Sequence, residues 1–347
     1  MTQPRDHGGG LDAAVGRYGG SRTSWVDLST GINPVPYPVG PIEDGAWTAL
    51  PDQAAMDRLL TAARSFWQVP AEARIIAAPG ASALIARMPH VIGADRVYIP
   101  SPTYNEHAAA FRAAGREVSD NASAPSWVVV HPNNPDGRMW QADELADCST
   151  CIIDESFCDI APDASLVDLA ARPGTIVLKS FGKFWGLAGL RLGFAIGLPE
   201  TLGFGGPGES LADMLGPWAV SGPGLAVGAR ALEDTAWAAK TRDRLALDAL
   251  RLDDLLVRRG ARVIGGTDLF RLYEVDDAAL WQDRLAQGHV WSRIFPYSDT
   301  WLRLGLPAPE QWDRLEAALG GCETSGTAPD GQAGGAMARP SGPAGPA

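Results

Sequence analysis

The chain has 347 residues, 46% hydrophobic and 20% charged, an ordinary globular composition with room for two modest domains. Its formal charge of −12 argues against a nucleic-acid partner and against an anionic membrane surface. It has no apolar run of the roughly eighteen residues that a membrane span needs. Met1 to Gly8 lack the apolar centre of a signal peptide, so a cytoplasmic location is expected.

Residues 1–35 read as an N-terminal arm. Glycines beside a histidine, at His7-Gly8-Gly9-Gly10, suggest backbone close to a ligand; a floppy terminus is the alternative. Pro34, Pro36, Pro38 and Pro41 make an extended connector. Apolar spacing at Ala55, Leu59, Leu60, Ala63 and Phe66 predicts an amphipathic helix over 52–68. A strand at 74–78 enters Pro79-Gly80-Ala81-Ser82, and the first amides of such a helix form an anion site, although many Gly-Ser turns bind nothing. A strand at 95–100 leads to Tyr104 and His107, where an aromatic just past a strand end can stack on a planar ring; ordinary packing is the alternative for both.

The strand at 127–130 ends in His131-Pro132-Asn133-Asn134-Pro135-Asp136-Gly137, whose Asn-Pro and Asp-Gly pairs alone mark turns. The next strand, from Cys151, ends in Asp154, and a carboxylate at a buried strand end is costly unless paired. Cys148 and Cys151 form a C-x-x-C, with Cys158 beyond. No fourth ligand stands at zinc spacing, so no metal is expected. A redox pair remains open, but reduced, buried thiols are the favoured reading because the motif precedes a strand and opens no helix.

Strand–helix alternation to about residue 200 predicts an α/β domain with a mostly parallel sheet covered by helices. Residues 203–228 are rich in Gly and Pro and are read as a crossing between domains. A long helix over 229–259, strands at 262–264 and 268–274, a helix at 276–287, strands at 289–295 and 301–304, and a helix at 309–319 predict a small α+β domain. The division is thus 1–35 arm, 36–228 large domain, 229–320 small domain and 321–347 tail. The tail is Gly, Ala, Pro and Ser with few large apolar groups and is expected to be disordered. Arg293 and Arg303 stand alone in aromatic or apolar segments, where an unpaired guanidinium is costly and an anionic ligand is a sufficient partner. For Arg293, snorkelling to the surface or pairing with an aspartate remains open.

The stretch that organises the rest is Ser180-Phe181-Gly182-Lys183-Phe184-Trp185-Gly186-Leu187-Ala188-Gly189-Leu190-Arg191-Leu192-Gly193, between two apolar runs that read as strands. Burial disfavours a charged lysine, and a lysine of lowered pKa suits a Schiff base with a carbonyl. Ser180 lies three residues before Lys183 and Arg191 eight after it; Lys179 stands too early for the pattern. This resembles the signature of fold-type I pyridoxal-phosphate (PLP) enzymes of the aspartate aminotransferase superfamily. The resemblance implies that Lys183 carries the cofactor. It implies that Ser180, Arg191 and the amides of Ala81 and Ser82 hold its phosphate, that Tyr104 stacks on its ring, and that Asn134 bonds its phenolic oxygen. Asp154 would keep its ring nitrogen protonated, with His107 either sharing the Tyr104 face or touching Asp154. Phe157 stands where many relatives place a tyrosine hydroxyl, and Leu50 where many place a tyrosine that reaches the partner subunit's cofactor.

Within that superfamily the chain resembles the branch of histidinol-phosphate aminotransferases and threonine-phosphate decarboxylases, over about residues 5–318. His7-Gly8-Gly9, Ile32-Asn33-Pro34 and Phe157 look most like the decarboxylases, which serve cobalamin synthesis. The resemblance implies that His7, Gly8, Asn33, Asn134, Arg293 and Arg303 hold a small amino acid bearing a phosphate and a carboxylate. It implies a homodimer, and decarboxylation of O-phospho-L-threonine to (R)-1-amino-2-propanol O-2-phosphate. The alternative is a histidinol-phosphate-type aminotransferase. A PLP-binding regulatory protein is disfavoured, since no basic segment or helix-turn-helix precedes the domain. Which arginine takes which anion stays open.

Overall fold

A computed structural model describes residues 7–320, so the tail at 321–347 lies outside the described residues. The arm carries α1 (Leu11–Tyr18) and β1 (Val26–Asp27). After the proline connector come α2 (Asp44–Thr48) and α3 (Gln53–Trp67), the latter where the apolar spacing places a helix. Asp52 caps α3 by accepting from the Ala55 amide at 2.8 Å.

The large domain follows with β2 (Arg74–Ala78), α4 (Ala81–Ile85), α5 (Met88–Val91), β3 (Arg96–Tyr98), α6 (Asn105–Ala113), β4 (Glu117–Ser119), β5 (Ser126–Val130), β6 (Thr150–Asp154), β7 (Thr175–Ser180) and β8 (Gly193–Gly197). These seven strands form one sheet in the order β2-β8-β7-β6-β5-β3-β4. From β4 to β7 all pairs are parallel, and β8 runs antiparallel between β7 and β2. The sheet is therefore mostly parallel, as expected. The reversal at β8 follows from the short connection after β7, which holds no helix long enough for a parallel crossover.

Both faces of the sheet are covered, so its central strands read as near-continuous apolar runs. Val128, Ile152, Ile176 and Leu178 pack on one face with Leu84, Met88 and Phe111. Val129, Ile153 and Val177 pack on the other with Leu59 and Leu225. The second cluster continues into the small domain through Leu252, Trp281 and Leu302, so the two domains share a core.

The remaining elements are α7 (Leu211–Leu215), α8 (Gly222–Glu233), α9 (Thr235–Val257), β9 (Arg262–Thr267), β10 (Phe270–Glu274), α10 (Ala278–Gln287), β11 (Val290–Trp291), β12 (Arg293–Phe295), β13 (Ser298–Gly305) and α11 (Trp312–Leu319). Three expectations are corrected here. The stretch 203–228 contains α7 and much of α8, where Gly222 and Gly228 serve close packing. A methyl on Gly228 would lie 2.5 Å from Leu192 and 2.9 Å from Leu59. The single helix read over 229–259 is two helices, broken at Asp234, whose carboxylate caps α9 at the Trp237 amide, 2.9 Å away. The single strand read over 289–295 is two. β12 enters an antiparallel sheet ordered β12-β13-β10-β9, while β11 pairs in parallel with β1. The arm is thus tied to the C-terminal domain. No described helix is long and apolar enough to cross a membrane.

Replacing Asp234 with alanine removes the cap that starts α9. We expect Asp234→Ala to lower stability by about 1 kcal/mol, read as a shift in urea midpoint at unchanged slope.

Candidate active site

β5, β6 and β7 end side by side, and the turns beyond them meet the loop before α6 and the start of α4. Ala81, Ser82, Tyr104, Asn134, Asp154, Ser180, Lys183 and Arg191 line one cavity of about 220 Å³ there. His7, Gly8, Tyr104, Asn134, Arg293 and Arg303 line a second of about 200 Å³. Tyr104 and Asn134 belong to both, so the two cavities adjoin. Of the candidate residues, His107 lies behind the first cavity and Asn33 lies outside both.

Lys183 sits on the turn between β7 and β8. Burial, with Arg303 and Arg191 nearby, lowers its pKa to about 8, although the Asp154 charge opposes them. Its Nζ lies 5.1 Å from the centre of the Phe157 ring, so an apolar face confronts it where a tyrosine hydroxyl is absent. Asp154 is buried at the end of β6. Burial works against its charge, yet hydrogen bonds from His107 Nε2 (2.8 Å) and from the Ser156 hydroxyl (2.5 Å) and amide (2.9 Å) outweigh it. Its pKa falls below the ordinary carboxylate value. Of the two places read for His107, the structure shows the contact with Asp154. His107 also presents its edge to Tyr104, with ring centres 6.1 Å apart.

Opposite Lys183, the Arg191 guanidinium packs on Gly80. A methyl on Gly80 would lie 2.7 Å from Arg191 Nη2, and φ there is +88°. A methyl on Gly193 would lie 2.5 Å from the Ala81 amide. Backbone amides, Ser82, Ser180 and a guanidinium therefore surround one end of the cavity, a cradle suited to a phosphate.

Arg303, on β13, is buried. Its Nη1 donates to Asn134 Oδ1 and its Nη2 to the Ser29 carbonyl (2.6 Å), while its Nε has no hydrogen-bond partner among the described residues. Burial and the Arg293 charge lower its pKa to about 10. His7 lines the second cavity, with its Nε2 lying 2.9 Å from Glu106 Oε1. Gly9 N donates to Ser29 Oγ at 2.7 Å, which pins the arm over that cavity.

Asn33 is placed differently from the substrate-binding role read in the sequence. Its side chain is buried against the Lys183 turn: Nδ2 donates to the Phe184 carbonyl (2.8 Å), and Oδ1 accepts from Arg244 (2.6 Å) and the Val35 amide (3.0 Å). Residues not singled out in the sequence also take part. Ser156 holds Asp154, Ser29 holds Arg303, and Tyr297 lines the second cavity. Ser156 alone had a signal, two residues after a buried aspartate, where a serine can close back on the carboxylate.

Lys179 is buried beneath the site and pairs with Glu155, with Asp159 at 3.8 Å. Burial pulls its pKa down, but the two carboxylates more than offset this and it lies above the ordinary lysine value. Cys148, Cys151 and Cys158 are free, buried thiols. The hydrogen bond from Cys151, with Arg172 Nη2 at 3.4 Å, lowers the Cys148 pKa to about 7. His131, Glu155 and Cys158 converge, but His131 accepts the Trp140 amide on Nδ1 and bonds the Ala164 carbonyl through Nε2, while Glu155 holds Lys179. Their ligand atoms are spent on the protein.

A turn lysine of lowered pKa, an anchored aspartate and a phosphate cradle at the carboxyl ends of a mostly parallel sheet define a fold-type I PLP enzyme. The family of class I and II aminotransferases matches residues 42–129 and 119–319, and the chain belongs to that family. It is 40% identical to a threonine-phosphate decarboxylase of Sinorhizobium sp, over 90% of this chain and 97% of the relative. It is 41% identical to one of Pseudomonas aeruginosa over the same shares. Its fold also matches histidinol-phosphate aminotransferase of Sinorhizobium meliloti in complex with pyridoxal-5'-phosphate, at TM-score 0.74 and 17% identity, over 90% of this chain and 94% of that one. The residues present fit that cofactor. The cradle suits its phosphate, Asp154 its ring nitrogen and Lys183 its aldehyde.

The two lysines should differ in stability tests. Lys179→Met leaves Glu155 unpaired in the core and should cost about 3–5 kcal/mol in chemical denaturation. Lys183→Met should instead stabilise the cofactor-free protein at pH 7, by up to about 3 kcal/mol. Between pH of about 8 and 10.5 the unfolded chain keeps a lysine proton that the folded one has released, so wild-type stability rises with pH across that window. The advantage of Lys183→Met should fade over the same interval.

Proposed function

We propose that this chain catalyses PLP-dependent decarboxylation of O-phospho-L-threonine to (R)-1-amino-2-propanol O-2-phosphate, a step serving cobalamin synthesis. One observation carries the reading beyond the cofactor. A second cavity adjoins the first and is lined by two guanidinium groups, Arg293 and Arg303, and these match a substrate with two anionic groups. The names of the two bacterial decarboxylases similar to this chain support the same substrate.

When bound, PLP supplies a ring that accepts the electron pair left when carbon dioxide departs. Asp154 stays ionised through its bonds to His107 and Ser156 and so favours a protonated ring nitrogen. Lys183, with a pKa of about 8, divides between amine and ammonium near neutral pH. It would serve as the amine that holds the cofactor and as the group that returns a proton to the α-carbon. Arg293 and Arg303 bind phosphate and carboxylate and set the angle of the α-carbon bonds, which decides the bond that breaks. His7 and the pinned arm close the cavity from above.

The protein is proposed to act in the cytoplasm as a homodimer. Trp47 and Leu50, on and just after α2, and Trp218, just before α8, are large exposed apolar side chains on neighbouring elements.

With O-phospho-L-threonine, the PLP-loaded protein should release carbon dioxide continuously without a 2-oxo acid acceptor. Conversion of the cofactor to pyridoxamine phosphate without carbon dioxide would overturn this reading in favour of an aminotransferase acting on histidinol phosphate. Arg303→Met should lower kcat/KM for carbon dioxide release by about 100-fold or more.

A further inference from the structure

The connector at 33–37 runs along the Lys183 turn and is bonded to it at three points. The Asn33 amide donates to the Lys183 carbonyl at 3.0 Å, and the Tyr37 amide to the Trp185 carbonyl at 2.9 Å. Between them, Asn33 Nδ2 donates to the Phe184 carbonyl at 2.8 Å. The fit is tight. Gly186 has φ of +68°, and a methyl there would lie 2.7 Å from Pro36 Cα and 2.9 Å from the Asn33 carbonyl oxygen.

Asn33 is itself held from α9. Arg244 Nη2 donates to Asn33 Oδ1 at 2.6 Å, and Arg244 Nη1 to Asp248, one turn on, at 2.9 Å. The same end of α9 packs on the turn through Trp237, stacked on Trp185 at 5.4 Å, and Arg242, 5.2 Å from the centre of the Phe184 ring. Its other end carries Asp253, which binds Arg271 (2.8 Å) and Tyr273 (2.8 Å) on β10. β10 is the hydrogen-bonded neighbour of β13, which bears Arg303.

We propose that Asn33 is a positioning residue for Lys183, held in place by Arg244, so that α9 ties the lysine turn to the sheet bearing the second cavity's arginines. The reason is geometric. Lys183 lies on a turn outside any helix or strand, and the carbonyls of Lys183 and Phe184 are where the connector holds that turn. An amide side chain suits this, since it donates to a carbonyl while accepting from a guanidinium. Asn33 is the residue that does both. This role presupposes Lys183 as the reactive amine of the proposed function.

The test uses full-length Asn33→Ala, Arg244→Met and Arg244→Lys. In cofactor-free protein, the pH midpoint for acylation of Lys183 by acetic anhydride is read by peptide mass spectrometry. In loaded protein, kcat and KM for carbon dioxide release are measured. We expect the Asn33→Ala midpoint to move up from about 8 towards the ordinary lysine value of 10.5, as the loosened turn lets water reach the amine. The kcat should fall about tenfold or more while KM stays within about threefold. Arg244→Met should give a smaller change of the same sign, Arg244→Lys should restore it, and the double variant should add nothing to Asn33→Ala. An unchanged midpoint beside a lowered melting temperature would make Asn33 merely structural and overturn the proposal. If Asn33→Ala does not fold, an unchanged midpoint in Arg244→Met overturns it alone. Borohydride trapping of the cofactor on wild-type Lys183 tests the function separately, and the acylation midpoint reads the brace whichever way that falls.

Discussion

Burial of the Lys183 ammonium among cations is the constraint on which the site depends. Arg303 and Arg191 oppose its charge, Asp154 alone supports it, and burial sets the balance towards the neutral amine. Lys179, four residues earlier, faces the opposite outcome in equally deep burial, because two carboxylates meet it. The strand period explains the difference. Successive residues of β6 and β7 point to opposite faces, and the parallel register sets Asp154 beside Leu178. Asp154 and Ser180 therefore turn to the cavity, whereas Glu155 and Lys179 turn beneath it and pair. One short sequence at each strand end thus supplies both a reactive floor and the buried ion pair under it. Removing charge from either layer has different consequences, since a paired buried charge is retained at a cost that an unpaired one cannot meet.

What could be read in the sequence follows from how local each signal is. The cofactor cluster was legible because Ser180, Lys183 and Arg191 lie on one turn, and Asn134 and Asp154 each close a recognisable strand. The parallel sheet was legible because strands and helices alternate. The break at Asp234 was hidden by continuous helical spacing on both sides. β12 and β11 looked like one strand because the division between them is made by partners, β13 and β1, far away in the chain. The substrate role of Asn33 is implied only by the resemblance of Ile32-Asn33-Pro34 to the decarboxylases. Its actual bonds go to Phe184 and Arg244, more than a hundred residues off, and no spacing in the chain foreshadows them. The partners of Lys179 are equally invisible in the sequence, where the lysine shows only that it stands too early for the Ser180-Lys183-Arg191 pattern.

The small domain is more than a lid for the cofactor. It brings Arg293 and Arg303 on adjacent strands, and through β11 it holds the arm that carries His7 and Gly8. The Trp291 indole donates to the Gly9 carbonyl at 2.9 Å, so the arm is fastened to the domain that carries the arginines. α9 links the Lys183 turn to the sheet that bears those arginines, through Arg244 at the Asn33 side and Asp253 at the β10 side.

The hold on the departing group must also be limited, because a contact equally strong before and during bond breaking does not raise the rate. Arg303 gives one N–H from each terminal nitrogen to the protein, to Asn134 Oδ1 and to the Ser29 carbonyl, and each of those nitrogens carries a second N–H besides the Nε–H that has no partner among the described residues. Its bonds to the protein therefore fix the direction of the guanidinium and still leave donors for an anion. On the proposed function, Asn134 therefore has two duties at the wall between the cavities. It holds Arg303 on one side and lines the Lys183 cavity on the other, which makes it the point where substrate orientation and ring chemistry meet.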